Sequence, residues 1–283
     1  MLTNRLNLPQ PFVDAAMSKR KVVPNEYSVT TLLKGTCEIT LSRRHYDEIE
    51  EDVSDRVWAI FGTAVHKVLE QAQETDTQIK EGSIRVPIDG FTLTGIFDLY
   101  DDATGTVVDY KTAGTIKYQK RDFDDYRTQT LYYCYMLRQL GFDAHRAEIV
   151  MILRDWVKSK AKYDTDYPQC QVQKVEFEFT EDDFENAASE IAAKLKDISI
   201  QNELEDEYLT PCTPEERWHK DDSWAVVKDG NKKAYRVFYS EEEADELAVL
   251  MSAKGKYHVE FRPGEDTKCE HYCAVRKWCP LWV

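Results

Sequence analysis

The hydrophobic and polar positions change their spacing several times along the chain, and each change predicts a new structural element. Between Val53 and Gln73 the apolar residues recur every three or four positions, which is the spacing of one face of a helix. Val172 to Phe179 alternates apolar and polar residues instead, as a half-buried strand does. Taken in order, the segments are a helix over 53–73, strands over 91–99 and 106–112, a helix over 126–140, strands over 147–153 and 172–179, and a helix after Thr180 to about 195. This mixture of strands and helices predicts an α/β core.

The last third of the chain has shorter and less regular segments. Strand patterns over 224–227 and 234–239 flank the turn sequence Asp229-Gly230-Asn231 and predict a hairpin. A short helix and one more strand then lead into a cysteine-rich tail. These changes predict three regions, which are an N-terminal arm over 1–27 with the basic segment Lys19-Arg20-Lys21, a core over 28–202 and a small C-terminal subdomain over 203–283.

Composition and charge exclude several classes of protein. The 283 residues are 42% hydrophobic, which is enough for a sizeable core. Acidic residues outnumber basic residues by 52 to 37, so we expect any contact with DNA to be confined to a local groove. No apolar run reaches the roughly 18–20 residues that a membrane span requires, and the N-terminus lacks the apolar stretch of a signal peptide. The sequence therefore predicts a cytoplasmic protein that makes no contact with a membrane.

Two acidic residues and a lysine are predicted to converge where two central strands meet. Asp109 and Lys111 are two positions apart and share one face of their strand, while Asp98 is expected to end the preceding strand. The turn between the strands can return the chain so that both carboxylates lie beside the ammonium group. Hard divalent cations prefer oxygen ligands, and such a cation can activate water for attack on a phosphate. By itself, the Asp-x-Lys triplet is also common in surface hairpins that contain only a salt bridge.

Two predicted helices place further polar side chains at regular spacing. Gly62, His66 and Glu70 are four residues apart on one stripe of the first helix, where His66 offers a nitrogen ligand. Gln129 and Tyr133 have the same spacing on the second helix, which suits contact with phosphates and bases. Each set also has an ordinary structural interpretation, as a solvated histidine in the first case and as a row of core aromatic residues in the second.

Four motifs follow one another in a recognisable order. They are Gly62-x3-His66-x2-Leu69-Glu70, Gly95-x2-Asp98, Asp109-Tyr110-Lys111-Thr112 and Gln129-x3-Tyr133. This order resembles the RecB-like branch of the PD-(D/E)XK nucleases, which includes phage and bacterial exonucleases and the CRISPR-associated RecB-like nucleases. The similarity covers about residues 28–155, and the cysteine-rich tail extends it. It implies a central mixed sheet flanked by helices and the hydrolysis of phosphodiester bonds in DNA.

The resemblance also implies a role for each motif residue. The residues that it assigns to metal ligation and catalysis are His66, Asp98, Asp109, the carbonyl of Tyr110, and Lys111. Under this assignment Lys111 is the catalytic lysine, and the other groups bind Mg²⁺ or Mn²⁺. Gln129 and Tyr133 would contact DNA. Asp109 stands where many relatives have glutamate, which is a change that the family tolerates.

Three cysteines in the tail predict a metal centre. Cys269, Cys273 and Cys279 lie within eleven residues of a segment that is too short to form a core of its own. Thiolates bind zinc or an iron–sulfur cluster. Many RecB-like nucleases carry a [4Fe–4S] cluster with three ligands in a similar C-terminal run. The resemblance therefore favours an iron–sulfur cluster, with zinc as the alternative.

The fourth ligand of this centre has two candidates. In the family the first cysteine commonly precedes the nuclease core, and Cys37 lies near that place, although no proline follows it. Cys212 lies between two prolines, and its ligation would close a loop around the hairpin and helix of the subdomain. We favour Cys212 and keep Cys37 as the alternative.

Together these features predict a metal-dependent DNA exonuclease that acts in phage or bacterial recombination or in the processing of DNA ends. Such a protein could act with a recombination partner or as a homo-oligomer. Two alternatives are a non-catalytic DNA-binding or assembly module of the same fold and an interaction protein stabilised by zinc. The acidic pair with its lysine and histidine favours the enzyme, because a binding module has no need of charged groups that are so costly to desolvate.

Overall fold

A six-stranded mixed β-sheet lies at the centre of the N-terminal part of the protein, as far as the described residues show. The computed structural model describes residues 1–17, 22–73 and 75–282. The basic segment Lys19-Arg20-Lys21 of the predicted arm lies outside the described residues. The chain divides into two units after Glu205. The predicted limits of the arm, core and subdomain stay predictions.

The first unit, Met1–Glu205, contains the sheet and a small separate ribbon. Its strands are β1 (Leu2–Thr3), β2 (Glu26–Ser28), β3 (Glu51–Asp52), β4 (Gln78–Ile88), β5 (Phe91–Asp101), β6 (Thr106–Ala113), β7 (Arg146–Leu153) and β8 (Val172–Glu178). Strands β1 and β3 pair in parallel as the ribbon, and the other strands form the sheet.

Strand β5 is central to the sheet because it pairs with other strands along both of its edges. Strand β4 runs antiparallel along one edge over the whole length of β5. The other edge is divided between β2, which pairs in parallel with 92–94, and β6, which pairs antiparallel with 99–101. Along 95–98 this second edge of β5 has no strand partner among the described residues. The sheet continues from β6 through parallel β7 to antiparallel β8.

Helices cover the sheet and complete the core of this unit. They are α1 (Gln10–Ala16), α2 (Val29–Leu32), α3 (Thr36–Arg44), α4 (Val57–Leu69), α5 (Thr115–Lys120), α6 (Asp124–Gln139), α7 (Lys158–Tyr163) and α8 (Glu181–Asn202). Helix α6 packs against β6, β7 and α8, and its buried Met136 and Leu137 join Phe97 and Tyr100 of β5 in one hydrophobic cluster. Helix α4 lies against β6.

The structure confirms the predicted fold class, an α/β core with a mixed central sheet flanked by helices. The helix predicted after Thr180 is α8, and it begins with a capping box in which Thr180 and Asp183 each accept the backbone N–H of the other. The expectation that Asp98 ends its strand is wrong. Strand β5 continues to Asp101 because its last three residues pair with β4 on one edge and with β6 on the other.

The second unit, Asp206–Val283, is built around a three-stranded antiparallel sheet. Its elements are β9 (His219–Lys220), β10 (Ser223–Lys228), β11 (Arg236–Phe238), α9 (Glu241–Met251), β12 (Tyr257–Arg262), β13 (Glu265–Asp266) and α10 (Thr267–His271). The predicted hairpin is present as β10 and β11, and β12 pairs with the other edge of β10. Across the described residues of both units, every helix is too short or too polar to cross a lipid bilayer.

Candidate active site

Asp98 and Asp109 face each other where β5 and β6 separate. Leu99 pairs with Val108, so the next residues in this antiparallel register are Asp98 and Asp109. The backbone ladder ends here, and Asp98 Oδ2 accepts the main-chain N–H of Tyr110 at 2.7 Å. A side-chain carboxylate thus takes the place of a backbone carbonyl as the partner of β6. This bond fixes the orientation of Asp98 at the gap between the strands.

Asp109 is held in the protein interior beside Lys111. The side chain of Asp109 is 5% exposed, and Lys111 Nζ lies 2.7 Å from its Oδ2 atom. Burial raises the pKa of Asp109, and the positive charge of Lys111 opposes this effect. Apart from this ion pair, Oδ2 receives no hydrogen bond of normal geometry within the described part of the chain. A buried oxygen with unused lone pairs is suited to bind a cation.

Gln129 and Tyr133 of α6 are buried against Asp109. Gln129 Nε2 donates to Asp109 Oδ1 at 3.2 Å and lies 3.4 Å from the Tyr133 hydroxyl. The Tyr133 ring packs directly on Gly95 of β5, where a Cβ atom would lie only 2.7 Å from Tyr133 Cε1. A glycine is therefore needed at this position by close packing. In this arrangement Gln129 positions Asp109 and Tyr133 contacts Gln129. Contact of the two side chains with DNA stays a prediction.

His66 reaches the acidic pair from helix α4. Its Nδ1 lies 3.0 Å from Asp98 Oδ1, and its ring stands nearly perpendicular to that of Tyr110. The hydrogen bond to Asp98 raises the pKa of His66, and burial partly offsets this effect. Glu70 directly follows α4, with its Oε2 atom 4.0 Å from Lys67 Nζ, and its charge raises the pKa of Glu81. Four of the residues singled out in the sequence, His66, Asp98, Asp109 and Lys111, therefore meet at one place in the fold.

Glu81 on β4 is an acidic residue of this cluster that the sequence motifs do not include. Lys80 pairs with Leu99, so Glu81 lies directly opposite Asp98. His66, Glu81 and Asp98 each offer a ligand atom, and these atoms lie within 4.8 Å of one another. Burial raises the pKa of Glu81, and the charge of Asp98 raises it further. No motif marks Glu81, and the only signal that could have found it is the pairing of its strand with the strand that carries Asp98.

The donor set of the cluster consists of carboxylate oxygens and one imidazole nitrogen. Such donors suit a divalent cation such as Mg²⁺ or Mn²⁺. Three ligand atoms already lie within reach of a common cation, and the buried Oδ2 of Asp109 is close by. The residues present therefore fit a divalent metal. The carbonyl of Tyr110 as a further ligand stays a prediction.

The cysteines of the tail lie in the second unit. Cys269 is buried, whereas Cys212, Cys273 and Cys279 are partly exposed. Burial raises the pKa of Cys269, a hydrogen bond with Trp282 lowers it, and the charges of Asp266, Cys279 and Cys212 raise it. Cys279 and Cys212 are thus near enough to Cys269 to affect its ionisation. Cys37 is buried in α3 of the first unit, where it is 1% exposed.

Comparison with known proteins identifies the family of this chain. A family model described as the PD-(D/E)XK nuclease superfamily matches residues 72–280. The chain belongs to the PD-(D/E)XK nuclease superfamily. The matched range includes Glu81, Asp98, Asp109 and Lys111, whereas His66 precedes it. The resemblance drawn from the order of the motifs is confirmed.

Several solved structures are similar to this PD-(D/E)XK chain at low sequence identity. The protein SSO0001 has a TM-score of 0.47 at 16% identity, and the match covers 71% of this chain and 90% of that chain. An alkaline exonuclease from Laribacter hongkongensis has a TM-score of 0.42 at 12% identity, with 69% and 95% covered. A phage-related exonuclease from Haemophilus somnus 129PT has a TM-score of 0.31 at 14% identity, with 58% and 71% covered. No curated protein matches the sequence.

The PD-(D/E)XK fold is that of a nuclease, which implies a DNA substrate. Nucleases of this superfamily use divalent metal ions, in agreement with the oxygen and nitrogen donors that converge around Asp98.

Proposed function

We propose that this PD-(D/E)XK protein is a DNA exonuclease that requires Mg²⁺ or Mn²⁺ and acts in recombination or in the processing of DNA ends. The observation that carries the proposal is the convergence of His66, Glu81 and Asp98 on one point beside the buried ion pair of Asp109 with Lys111. A surface hairpin with an incidental salt bridge would not need a histidine from a separate helix at the same place. The preference for exonuclease action follows the resemblance in the order of the motifs.

In this proposal His66, Asp98 and Asp109 hold the cation, and Glu81 is an additional ligand. A bound divalent cation would lower the pKa of a water molecule and stabilise negative charge on the phosphate. Asp98 is oriented for this role by the N–H of Tyr110, and Asp109 is oriented by Gln129. Because these bonds exist within the protein itself, the ligands are arranged before DNA binds.

Lys111 supplies a positive charge at the same place. Its side chain is 20% exposed, so it can contact a phosphate while it remains paired with Asp109. In the proposed reaction it offsets the charge that develops on the phosphate oxygens and orients the attacking water. The charge of Lys111 also counteracts the effect of burial on the pKa of Asp109, which keeps that carboxylate available as a ligand.

We further propose that Cys212, Cys269, Cys273 and Cys279 bind a [4Fe–4S] cluster, with zinc as the alternative. The proximity of Cys212 and Cys279 to Cys269 supports Cys212 over Cys37 as the fourth ligand. Protein purified without oxygen should be brown, with a broad absorbance band near about 400 nm, if the cluster is iron–sulfur. A colourless protein that contains one equivalent of zinc would establish the alternative.

The proposed function is tested with DNA that has ends and DNA that has none. End-labelled linear DNA and covalently closed circular DNA are incubated with the purified protein and Mg²⁺ or Mn²⁺. An exonuclease should shorten the linear DNA stepwise from its ends and leave the circles intact. Cleavage of the circles would show endonuclease action instead. DNA binding without any cleavage would identify the non-catalytic module.

Asp109→Ala is the matched control for this assay. The substitution removes a metal ligand and the partner of Lys111, so cleavage should fall below detection while the protein stays folded. Addition of EDTA to the wild-type protein should have the same effect on cleavage. Digestion by purified Asp109→Ala protein at the wild-type rate would refute the assignment of this site. The recombination partner, the homo-oligomer and the cytoplasmic location stay predictions.

A further inference from the structure

Helix α4 presents an apolar surface that the described chain leaves open to solvent. Its sequence is mostly hydrophobic, yet none of its residues, all of which the structure describes, is buried. Trp58 is 58% exposed, Phe61 is 40% exposed and Val68 is 67% exposed. Large apolar patches on the surface of a protein mark sites of interaction, because their exposure to water is unfavourable. The surface of α4 is therefore a candidate binding surface.

A cation is stacked on the exposed indole of this surface. The guanidinium carbon of Arg154 lies 4.4 Å from the ring centroid of Trp58, and Phe61 meets the same ring edge-on at 6.2 Å. Arg154 follows β7, and its backbone N–H donates to the carbonyl of Ala113 at the end of β6. Its backbone is thereby fixed at the end of the two strands. An aromatic ring beside a guanidinium group offers a face for a nucleobase and a charge for a phosphate.

This surface adjoins the candidate active site. Trp58 and His66 are eight residues apart on α4, so they lie about 12 Å apart along the helix axis and about 80° apart around it. Tyr126 connects the two regions from the other side. Lys111 Nζ lies 5.5 Å from the centroid of the Tyr126 ring. Arg154 lies at the same strand end, because its backbone N–H donates to the carbonyl of Ala113, two residues after Lys111.

We propose that Trp58 and Arg154 bind single-stranded DNA next to the phosphate that is cut. An unpaired base stacks on the exposed face of the indole, and Arg154 pairs with a neighbouring phosphate. Duplex DNA hides the faces of its bases in its own stack, so it cannot make this contact. The surface therefore gives a preference for single strands and frayed ends. This inference rests on the proposed function, since it assigns the path of the strand that the nuclease cuts.

The charges favour DNA over a second copy of the chain as the occupant. The protein has a net charge of −15, so two copies repel each other in general. At the exposed indole itself the contacting charge is positive, because Arg154 lies on the ring of Trp58, whereas Asp109, Asp122 and Asp125 act on the neighbouring Tyr126. A cation on an exposed ring beside the site of a nuclease fold matches the requirement that DNA be confined to one groove.

The test measures the affinity of Trp58 variants for single-stranded DNA. The full chain carries Asp109→Ala so that the probe stays intact, and fluorescein-labelled oligothymidylate and a blunt duplex are titrated by fluorescence anisotropy. Trp58→Ala should weaken binding of the single strand about 10- to 100-fold and change binding of the duplex by less than about threefold. Trp58→Phe retains an aromatic face and should stay within about threefold of the parent. Arg154→Ala should weaken binding and reduce its dependence on salt.

A second exposed aromatic residue serves as the control. Tyr239 is 77% exposed and lies in the second unit, so Tyr239→Ala should leave the affinity unchanged. Unchanged single-strand affinity in Trp58→Ala overturns the inference. The inference also fails if Trp58→Ala changes the molar mass of the protein in light scattering while DNA binding stays normal. This surface would then be an interface between copies of the chain.

A cleavage assay separates this inference from the proposed function. If the wild-type protein cuts no DNA with Mg²⁺ or Mn²⁺, the proposed function fails whatever Trp58 does. If the wild-type protein and Trp58→Ala cut single-stranded DNA equally well and bind it equally well, only the role of Trp58 and Arg154 fails.

Discussion

The two candidate metal centres lie in units whose secondary-structure elements and hydrophobic cores differ greatly in size. The cluster around Asp98 and Asp109 is formed by long strands that share a core with large side chains such as Phe97 and Tyr100. In the second unit the elements around the cysteines are short, and α10 has five residues. The buried apolar residues described in that unit are mostly small, and they are Leu209, Ala225, Val226, Val227, Ala244, Met251, Cys269 and Val275.

This difference indicates a catalytic role for the metal proposed in the first unit and a structural role for the one proposed in the second unit. In the first unit hydrogen bonds within the protein already position the ligands, so we expect this unit to fold without a cation. In the second unit the small core provides little hydrophobic stabilisation, and small domains of this kind usually depend on a metal or a disulfide. The metal proposed for this unit would therefore contribute free energy of folding. Removing each centre in turn tests this difference between the two units.

The largest effect is expected from loss of a cysteine ligand. Cys269→Ala should unfold much of the second unit, because Cys269 is buried and the metal would no longer hold the tail. Limited trypsin digestion followed by mass spectrometry should then show cleavage at Arg217 and at the basic residues that follow it, together with a resistant first unit.

Cys170→Ala is the control for this substitution, since Cys170 is exposed in the first unit. Its digestion pattern should match that of the wild type. A wild-type pattern for Cys269→Ala would show that the second unit folds without a metal, and the contrast between the two centres would be lost.

Removal of Lys111 should affect the reaction far more than the fold. We expect Lys111→Met to lower the rate of cleavage about 10²- to 10³-fold, because a charge aimed at the phosphate is lost. The pKa of Asp109 should rise further, since the charge of Lys111 opposes the effect of burial. Cleavage rates of the purified variant measure the loss of activity, and circular dichroism shows whether the fold is kept.

Lys117→Met is the matched control for Lys111→Met. Lys117 is paired with the more exposed Asp125 and also lies against the ring of Tyr126. Its loss should change the rate by less than about fivefold. Equal effects of the two substitutions would show that Lys111 acts only through the general charge of the region.

A smaller effect is expected from crowding beneath the acidic pair. In Gly95→Ala the new methyl group meets the Tyr133 ring at 2.7 Å, so the ring must shift and carry Gln129 with it. Such overpacking should lower the free energy of unfolding by about 1–3 kcal/mol and lower the cleavage rate by about tenfold. Gly114→Ala is the control, because its Cβ atom would meet other atoms at an ordinary 3.7 Å. Urea denaturation and cleavage rates measure both effects.

The parts of the fold that depend on local pattern could be predicted from the sequence. The alternation over 172–179 predicts β8, and Thr180 with Asp183 predicts the start of α8, because strand alternation and helix capping involve neighbouring residues. The shared face of Asp109 and Lys111 is equally local, and the ion pair at 2.7 Å agrees with it.

The parts that depend on pairing between distant segments could not be predicted. Glu81 joins the cluster only because β4 pairs with β5, and no motif in the sequence reveals that register. Periodicity predicts helix α4 but does not predict which of its side chains are buried by other elements. The exposure of Trp58 therefore depends on the tertiary structure. The same holds for Gln129 and Tyr133, whose spacing predicts a common face while only packing shows that this face meets Asp109.

The smallest predicted effect concerns the capping box of α8, far in sequence from both metal centres. Asp183 Oδ2 accepts the backbone N–H of Thr180 at 2.9 Å, and its other oxygen accepts from Arg127 at 2.6 Å. These bonds lower the pKa of Asp183 to about 2 from an ordinary value of 3.8, with the Thr180 N–H as the largest cause. Because the folded state favours the ionised form, the stabilisation is complete above the unfolded value and is lost as the pH falls toward 2.

Asp183→Asn should therefore lower the free energy of unfolding by about 0.5–1 kcal/mol at neutral pH, and the gap to the wild type should narrow on acidification below about pH 4. Urea denaturation at several pH values measures this gap. Asp182→Asn, in the same first turn of α8, is the control and should produce a smaller gap, because the acid-sensitive bonds belong to its neighbour. A gap for Asp183→Asn that stays constant between pH 7 and pH 3 would mean that the carboxylate charge does not stabilise this helix. In that case the first unit would owe its stability to its hydrophobic core, and its contrast with the second unit, for which a metal is proposed, would rest on burial alone.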